Sequence, residues 1–365
     1  MQIVFGQSFI TKTMQYNGVS RGYKIFLPRL YDGRKKVPLM LNFHGGNQNI
    51  QAQVDLSNMN QIADTANFIV VYPQALEDPS DGNSTNWMRK QPTSFDDVPF
   101  VSALIDEVSS NYSIDIERVY ACGYSLGGEF SFELACKLNH KIAAIAPVAR
   151  PMTKVSFENC NPVHPTAVLI VMGTNDDFYN GIEFGGTQWY YSAMESADYW
   201  NGINHTNPEA EVSELPNLNP TDGSSVSALL WKNGDNCTQV KHLKINGGGH
   251  TWPGSVWGNQ DINGSEEIWN FLSKFDINGL IDCSTNSNPS KISSIEIQIV
   301  PNPCNHYLKI FGLRKKLPFR ILSIGGEEIT RGNIDERENQ IETDDLSPGL
   351  YFLELNHQIF KVLKN

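Results

Sequence analysis

Apolar side chains recur along this chain with two periods, and the period switches back and forth for most of its length. Residues 11–16 and 21–26 alternate apolar and polar positions around Asn17-Gly18, which predicts a β-hairpin with a primed turn. Residues 37–43, 68–72, 118–122, 142–148 and 167–172 are short continuous apolar runs, the form taken by strands buried on both faces. Other stretches place apolar residues three and four apart. These are 55–66, with Leu56, Met59, Ile62 and Ala63 on one face; 97–111, with Asp97 as its cap; and 129–138, 192–201 and 266–275. Strands at 226–231 and 240–245 complete the series. Such alternation from residue 37 to 275 predicts an α/β domain with a doubly wound, mostly parallel sheet. Two segments interrupt it: 74–96, a polar irregular loop of the kind that faces substrate, and the Pro- and Asn-rich excursion 204–224.

The pattern changes after Cys283. Ser284-Thr285-Asn286-Ser287-Asn288-Pro289-Ser290 has linker chemistry. Short β-rich runs follow at 295–300, 307–311, 319–324, 349–355 and 359–363, with no long amphipathic stretch. The predicted organisation is a large α/β domain at 9–283, a linker at 284–294 and a small all-β sandwich at 295–365. Residues 1–8, with Ile3-Val4-Phe5-Gly6 before Gln7, read as either the tail of a signal peptide or a plain disordered start.

Composition narrows the function classes. The net charge is −12, and the only basic runs are Arg34-Lys35-Lys36 and Arg314-Lys315-Lys316, so a nucleic-acid partner is not expected. No stretch approaches the roughly 20 apolar residues of a membrane span. The six cysteines show no spacing suited to zinc, and no metal or organic cofactor is expected. An even count suits an oxidising compartment. Cys136–Cys160 is the expected disulfide, joining the helix at 129–138 to a nearby loop, and Cys122 reads as a small core residue.

The candidate chemistry lies at strand ends. Between the strand 118–122 and the helix 129–138 stands Gly123-Tyr124-Ser125-Leu126-Gly127, the sequence form of a nucleophile elbow. Serine is a weak nucleophile and needs a base, an orienting acid and an oxyanion hole. In this architecture the chain order is serine, acid, histidine. The sequence offers the acid as Asp176 or Asp177 and the base as His250, which follows three glycines. His44-Gly45-Gly46 after the strand 37–43 has the form of an oxyanion loop, with His44 itself structural. The predicted donors are the backbone N–H groups of Leu126 and of Gly46 or Asn47. Trp87, Trp252 and Trp257 are candidates to line a cleft for an aromatic acyl group or a sugar, with core packing as the alternative for each.

Four stretches carry a family resemblance: His44-Gly45-Gly46-Asn47-Gln48, Phe95-Asp96-Asp97-Val98-Pro99-Phe100, the elbow with its strand, and Gly247-Gly248-Gly249-His250-Thr251-Trp252-Pro253-Gly254. Over residues 20–275 the chain resembles the secreted polyhydroxybutyrate depolymerase/feruloyl esterase branch of the α/β-hydrolases. The resemblance implies Ser125 as nucleophile and His250 as base. The family's His-Gly-Thr-x-Asp turn aligns with Met172-Gly173-Thr174-Asn175-Asp176 and selects Asp176 as the acid. This chain departs from the family at Met172, at Asp177-Phe178-Tyr179-Asn180, where Val-Pro is usual, and at Gly46, where Cys is common. The implied function is a serine carboxylesterase acting through an acyl-enzyme. The expected substrates are feruloyl or acetyl esters on plant polysaccharide, with polyhydroxyalkanoate as the alternative; a peptidase or an inactive binding protein ranks lower.

The tail carries a second resemblance, in Val300-Pro301-Asn302-Pro303, Leu308-Lys309-Ile310, Ile324-Gly325-Gly326-Glu327, Leu346-Ser347-Pro348-Gly349-Leu350-Tyr351-Phe352 and Lys361-Val362-Leu363-Lys364. It is similar to the C-terminal sorting domain of the type IX secretion system of Bacteroidetes. That resemblance implies export across the outer membrane, a secreted or surface-anchored product, and the secretion machinery as a partner. The other reading of the tail is a carbohydrate-binding sandwich; Tyr307, Phe311, Phe319, Tyr351, Phe352 and Phe360 fit a core better than a sugar platform.

Overall fold

A computed structural model describes residues 8–79, 82–87, 96–283, 298–300, 304–311, 316–323, 327–335, 339–355 and 358–364. The linker and nearly all of the expected signal-peptide remnant lie outside the described residues. The chain forms two compact units, 1–283 and 284–365.

The first unit opens with the hairpin β1 (Ser8–Tyr16) and β2 (Val19–Leu27). Asn17 and Gly18 both take positive φ, 48° and 77°, as a primed turn requires. Then come β3 (Val37–Phe43), α1 (Ile50–Ser57), α2 (Met59–Ala66), β4 (Ile69–Pro73), α3 (Asp97–Asn111), β5 (Ile114–Tyr124) and α4 (Leu126–Lys137). After these follow β6 (Ala144–Val148), α5 (Lys154–Asn159), β7 (Ala167–Gly173), the hairpin β8 (Ile182–Phe184) and β9 (Thr187–Tyr190), and α6 (Ala193–Asn204). The unit ends with β10 (Glu211–Glu214), β11 (Ser225–Trp231), β12 (Val240–Asn246), α7 (Gly264–Leu272), and the short pair β13 (Phe275–Asp276) and β14 (Gly279–Leu280).

The main sheet runs β1-β2-β4-β3-β5-β6-β7-β12-β11-β10. From β4 to β12 every pairing is parallel, and the flanks on both sides are antiparallel. This is the α/β-hydrolase class. The continuous apolar runs follow from burial on both faces. Leu39, Leu41 and Phe43 enter one core while Met40 enters the other, and Val168, Ile170 and Met172 are likewise divided from Leu169 and Val171.

Two expectations need correction. The helix expected over 55–66 is two helices, because Asn58 adopts φ 48° and ends α1 before α2 begins. Asn42 of β3 holds the end of α1 there: Gln53 donates to Asn42 Oδ1 (2.7 Å) and Asn42 donates to Ser57 Oγ (3.0 Å). The cap of α3 is Asp96, which accepts from the Val98 N–H; Asp97 turns inward instead. Arg21 donates to Asp97 Oδ1 at 2.5 Å, and its guanidinium lies 3.6 Å from the Phe100 ring centre. Both partners are buried, so the pair clamps the hairpin onto α3.

Two disulfides close loops in this unit, Cys136–Cys160 as expected and Cys237–Cys283, which spacing alone did not single out. Cys122 is buried and unpaired. Among the described residues no helix is long and apolar enough to cross a membrane.

The second unit contains two antiparallel sheets. One joins β15 (Gln298–Val300), β16 (Tyr307–Phe311) and β19 (Gln340–Glu342). The other joins β17 (Leu317–Ser323), β18 (Glu328–Ile334), β20 (Gly349–Leu355) and β21 (Gln358–Lys364). Its fully buried core is aliphatic, with Leu308, Ile310, Ile321, Leu353, Leu355 and Val362. Phe319, Tyr351 and Phe360 pack against that core only partly buried, and Tyr307 is exposed.

Two buried histidines of the first unit tie stability to pH. His44 follows β3, and its Nε2 accepts from the Ala75 N–H (3.1 Å) and faces the Gln74 amide. His242 on β12 faces the Ile170 carbonyl (3.1 Å). Burial pulls both down to about 4 from a usual 6.5. Below pH 6.5 the unfolded chain takes up these protons and the folded chain does not, so stability falls as pH drops from 6.5 towards 4. Each histidine contributes on the order of 3 kcal/mol across that window. Urea unfolding between pH 7 and pH 4 should therefore show a shallower loss in His242→Leu than in the parent. Separately, Asp97→Ala leaves a buried guanidinium unpaired and should cost about 3–5 kcal/mol in the same assay at pH 7.

Candidate active site

Parallel strands with helical crossovers put their carboxyl ends on one edge, and the candidate residues sit there. Ser125 stands between β5 and α4 with φ 53° and ψ −119°, a conformation side chains rarely adopt. The turn closes because its neighbours lack side chains. A Cβ on Gly123 would lie 2.5 Å from the Gly127 carbonyl carbon, and one on Gly127 would lie 2.3 Å from the Phe43 oxygen. The Ser125 N–H donates to the Val148 carbonyl at the end of β6, and the residue is half-buried.

Ser125 Oγ donates to His250 Nε2 at 2.9 Å, and His250 Nδ1 donates to Asp176 Oδ2 at 2.7 Å. The Asp176 side chain is wholly buried, while that of His250 is 35% exposed. Asp176 Oδ1 accepts from the Phe178 N–H at 3.0 Å, so both carboxylate oxygens are engaged. Asp177, the neighbouring alternative, is exposed. The acid turn after β7 and the histidine loop after β12 are bound together. The Asn175 N–H donates to the Gly248 carbonyl (2.8 Å), and the Gly247 N–H donates to Thr174 Oγ1 (2.9 Å). Tyr124 donates to the His250 carbonyl at 2.7 Å from the other side.

The predicted oxyanion loop lies against the elbow. A Cβ on Gly46 would meet Leu126 Cδ1 at 2.7 Å. Of the two alternatives there, Asn47 is occupied: its N–H donates to Asn86 Oδ1 at 3.2 Å. The N–H groups of Gly46 and Leu126 have no acceptor among the described residues. Leu126 is the first residue of α4, where an amide has no partner in its own helix and the dipole favours negative charge.

Trp87 does not line a cleft. It is 1% exposed, its indole N–H donates to the His44 carbonyl (2.8 Å), and its ring stacks on Phe130. It supports the oxyanion loop from below. Trp252 and Trp257 both border a groove of about 530 Å³ beside Tyr124; Trp252 is buried and Trp257 is 89% exposed. Among the described residues no group of three or more His, Cys, Asp or Glu is placed to hold a metal ion.

Sequence reasoning did not find Arg150, Glu129 or Asn86. Arg150, just after β6, lays its guanidinium 3.6 Å from the Phe178 ring centre, with Nε 3.5 Å from Glu129 Oε2. Tyr190 donates to the same carboxylate oxygen at 3.2 Å. Burial disfavours the Arg150 charge, and Tyr190 and Asp176 act against that. These three residues come from three separate segments, so no local motif marks them.

Residues 21–157 match the model of the esterase PHB depolymerase family, and residues 298–365 match the secretion system C-terminal sorting domain. A bifunctional acetylxylan esterase/xylanase of Neocallimastix patriciarum is 30% identical over 254 residues, covering 68% of this chain and 33% of that protein. Feruloyl esterase B of Piromyces equi is 28% identical, with 68% and 44% covered. Poly(3-hydroxyalkanoate) depolymerase C of Paucimonas lemoignei is 23% identical, with 59% and 55% covered. The chain thus spans a third to under a half of the length of the first two relatives. The sorting domain indicates type IX export, to the cell surface or the medium. The fold is that of an α/β-hydrolase, in which residues 21–157 are similar to the esterase PHB depolymerase family and residues 298–365 to the secretion system C-terminal sorting domain.

Proposed function

We propose that the protein is an exported serine carboxylesterase, with Ser125 as nucleophile, His250 as base and Asp176 as its orienter. The reading rests on one observation above all: an unbroken hydrogen-bonded relay from the hydroxyl of a half-buried serine through His250 to a buried carboxylate. His250 Nε2 takes the Ser125 proton as Oγ attacks the ester carbonyl carbon. The oxyanion is held by the N–H groups of Leu126 and Gly46. Collapse expels the alkoxide, which takes the proton from His250 and leaves an acyl-serine. Water, deprotonated by His250, attacks that acyl group and releases the acid, and Ser125 regains its proton. The three side chains and water account for every proton and electron pair.

The substrates proposed first are feruloyl or acetyl esters on plant polysaccharide, supported by the acetylxylan and feruloyl esterase relatives. Polyhydroxyalkanoate is the second reading, supported by the family model and by the depolymerase relative. Residues 9–283 are taken as the catalytic domain, 284–294 as a linker and 295–365 as the domain read by the type IX secretion machinery.

Ser125→Ala should lower p-nitrophenyl acetate hydrolysis by about four orders of magnitude or more. Asp176→Asn should cost about three to four orders and Asp177→Asn only a few-fold; the reverse ranking would make Asp177 the acid. A chain ending at residue 285 should keep hydrolysis and lose export, which an assay of medium and cell surface would read.

A further inference from the structure

The groove beside the catalytic histidine has a composition that selects among the proposed esters. Gln48, Asp55, Tyr124, Trp252, Trp257 and Asn263 border it, and no Lys, Arg or His among the described residues does. Tyr124 bonds to the His250 backbone, so the groove lies on the histidine's side of the site. The departing alkoxide takes its proton from His250 and must therefore lie on that side too.

The polar groups in the groove are of complementary kinds. Gln48 Oε1 accepts from the Gly45 N–H (3.0 Å), and Asn263 Oδ1 accepts from the Ser265 N–H (3.1 Å). Their amide nitrogens have no acceptor among the described residues, so each offers donors. Asp55 accepts from Gln51 at one oxygen only (2.7 Å). Asp55 is exposed, so a ligand that displaces water from its other oxygen must bring a donor in exchange. Trp257, 89% exposed, offers a flat apolar face beside them, and with its neighbour Val256, 85% exposed, it forms an apolar patch at the rim of the groove, the kind of surface that serves contact with a ligand.

We propose that this groove is a subsite for a neutral glycan, the alcohol part of the ester, with a sugar ring stacked on Trp257 and its hydroxyls bonded to Asp55, Gln48 and Asn263. This rests on the serine esterase reading for the position of the scissile bond. A sugar hydroxyl both donates and accepts, so it replaces the water on Asp55 and on the amides alike. A polyester has acceptors only and would strip Asp55 of its donor without replacement. An acidic glycan would set a carboxylate against Asp55, and no Lys or Arg among the described residues borders the groove to offset that repulsion.

Two measurements test this. In the full chain, the ratio of kcat/KM on acetylated xylohexaose to that on p-nitrophenyl acetate should fall about tenfold in Trp257→Ala and in Asp55→Leu, the size of one lost contact of this kind. An unchanged ratio in both, or an equal loss on polyhydroxybutyrate, overturns the proposal. In the Ser125→Ala chain, xylohexaose should give a saturable change in tryptophan fluorescence that Trp257→Ala abolishes, and hexagalacturonate should bind at least about tenfold more weakly. Absence of xylohexaose binding, or equal binding of the acidic oligomer, overturns it. The binding arm involves no turnover, so it judges the groove even if the parent chain hydrolyses no ester and the catalytic reading falls.

Discussion

Every part of the candidate site depends on one close backbone approach, that of the elbow to the end of β3. Gly127 lies so near the Phe43 and His44 carbonyls that no side chain fits between them. That contact does two things at once. It lets Ser125 hold φ 53°, at a cost of roughly 1–3 kcal/mol that only a surrounding fold can sustain. It also brings the Gly46 loop against Leu126, so the two amides of the oxyanion hole converge. His44, Trp87 and Gln74 then fix the loop from beneath. Trp87 donates to the His44 carbonyl while the His44 ring accepts from Ala75. A neutral, buried His44 serves this scaffold, its ring engaged by Ala75, Gln74 and Gly45 and not by the relay.

Much of this was legible in the sequence because its signals are local. The elbow, the glycine-borne histidine and the two-face strands each follow from a short run of residue types with a direct steric or burial cause. Asp176 was harder to separate from Asp177, since both suit a turn; the difference is burial, which only the packing of β7 against β12 decides. What the sequence hid is what depends on contacts distant along the chain. Asp97 looks like a helix cap and is instead the buried partner of Arg21, 76 residues away. Trp87 sits in a polar loop and looks like a cleft residue, yet the stack on Phe130 draws it inside. The second disulfide joins cysteines 46 residues apart, a pairing that spacing alone does not choose.

The second disulfide also bears on how the two units can serve separate roles. Cys283 is the last described residue of the catalytic unit, and its bond to Cys237 ties the end of that unit back onto the segment before β12. Phe275 and Leu280 pair in the segment before Cys283, and the Ile277 N–H donates to the Glu117 carbonyl of β5. The catalytic unit is therefore closed on itself before the linker begins. The sorting unit has its own aliphatic core and its own sheets.

The environment around the relay is asymmetric, and the asymmetry divides the work of recognition. On the acid's side, Arg150 lies over Phe178, ion-paired to a fully buried Glu129 that also holds Tyr190. This wall is packed, charged and preorganised, so it suits keeping Phe178 and the Asp176 turn in place. On the histidine's side, the groove is open and carries an exposed aromatic face with unengaged amides. A rigid wall next to the acid keeps the relay's geometry independent of what is bound. An open groove next to the base leaves that side free to take a ligand without disturbing the relay, so positioning of the relay and recognition are carried by separate walls of the site.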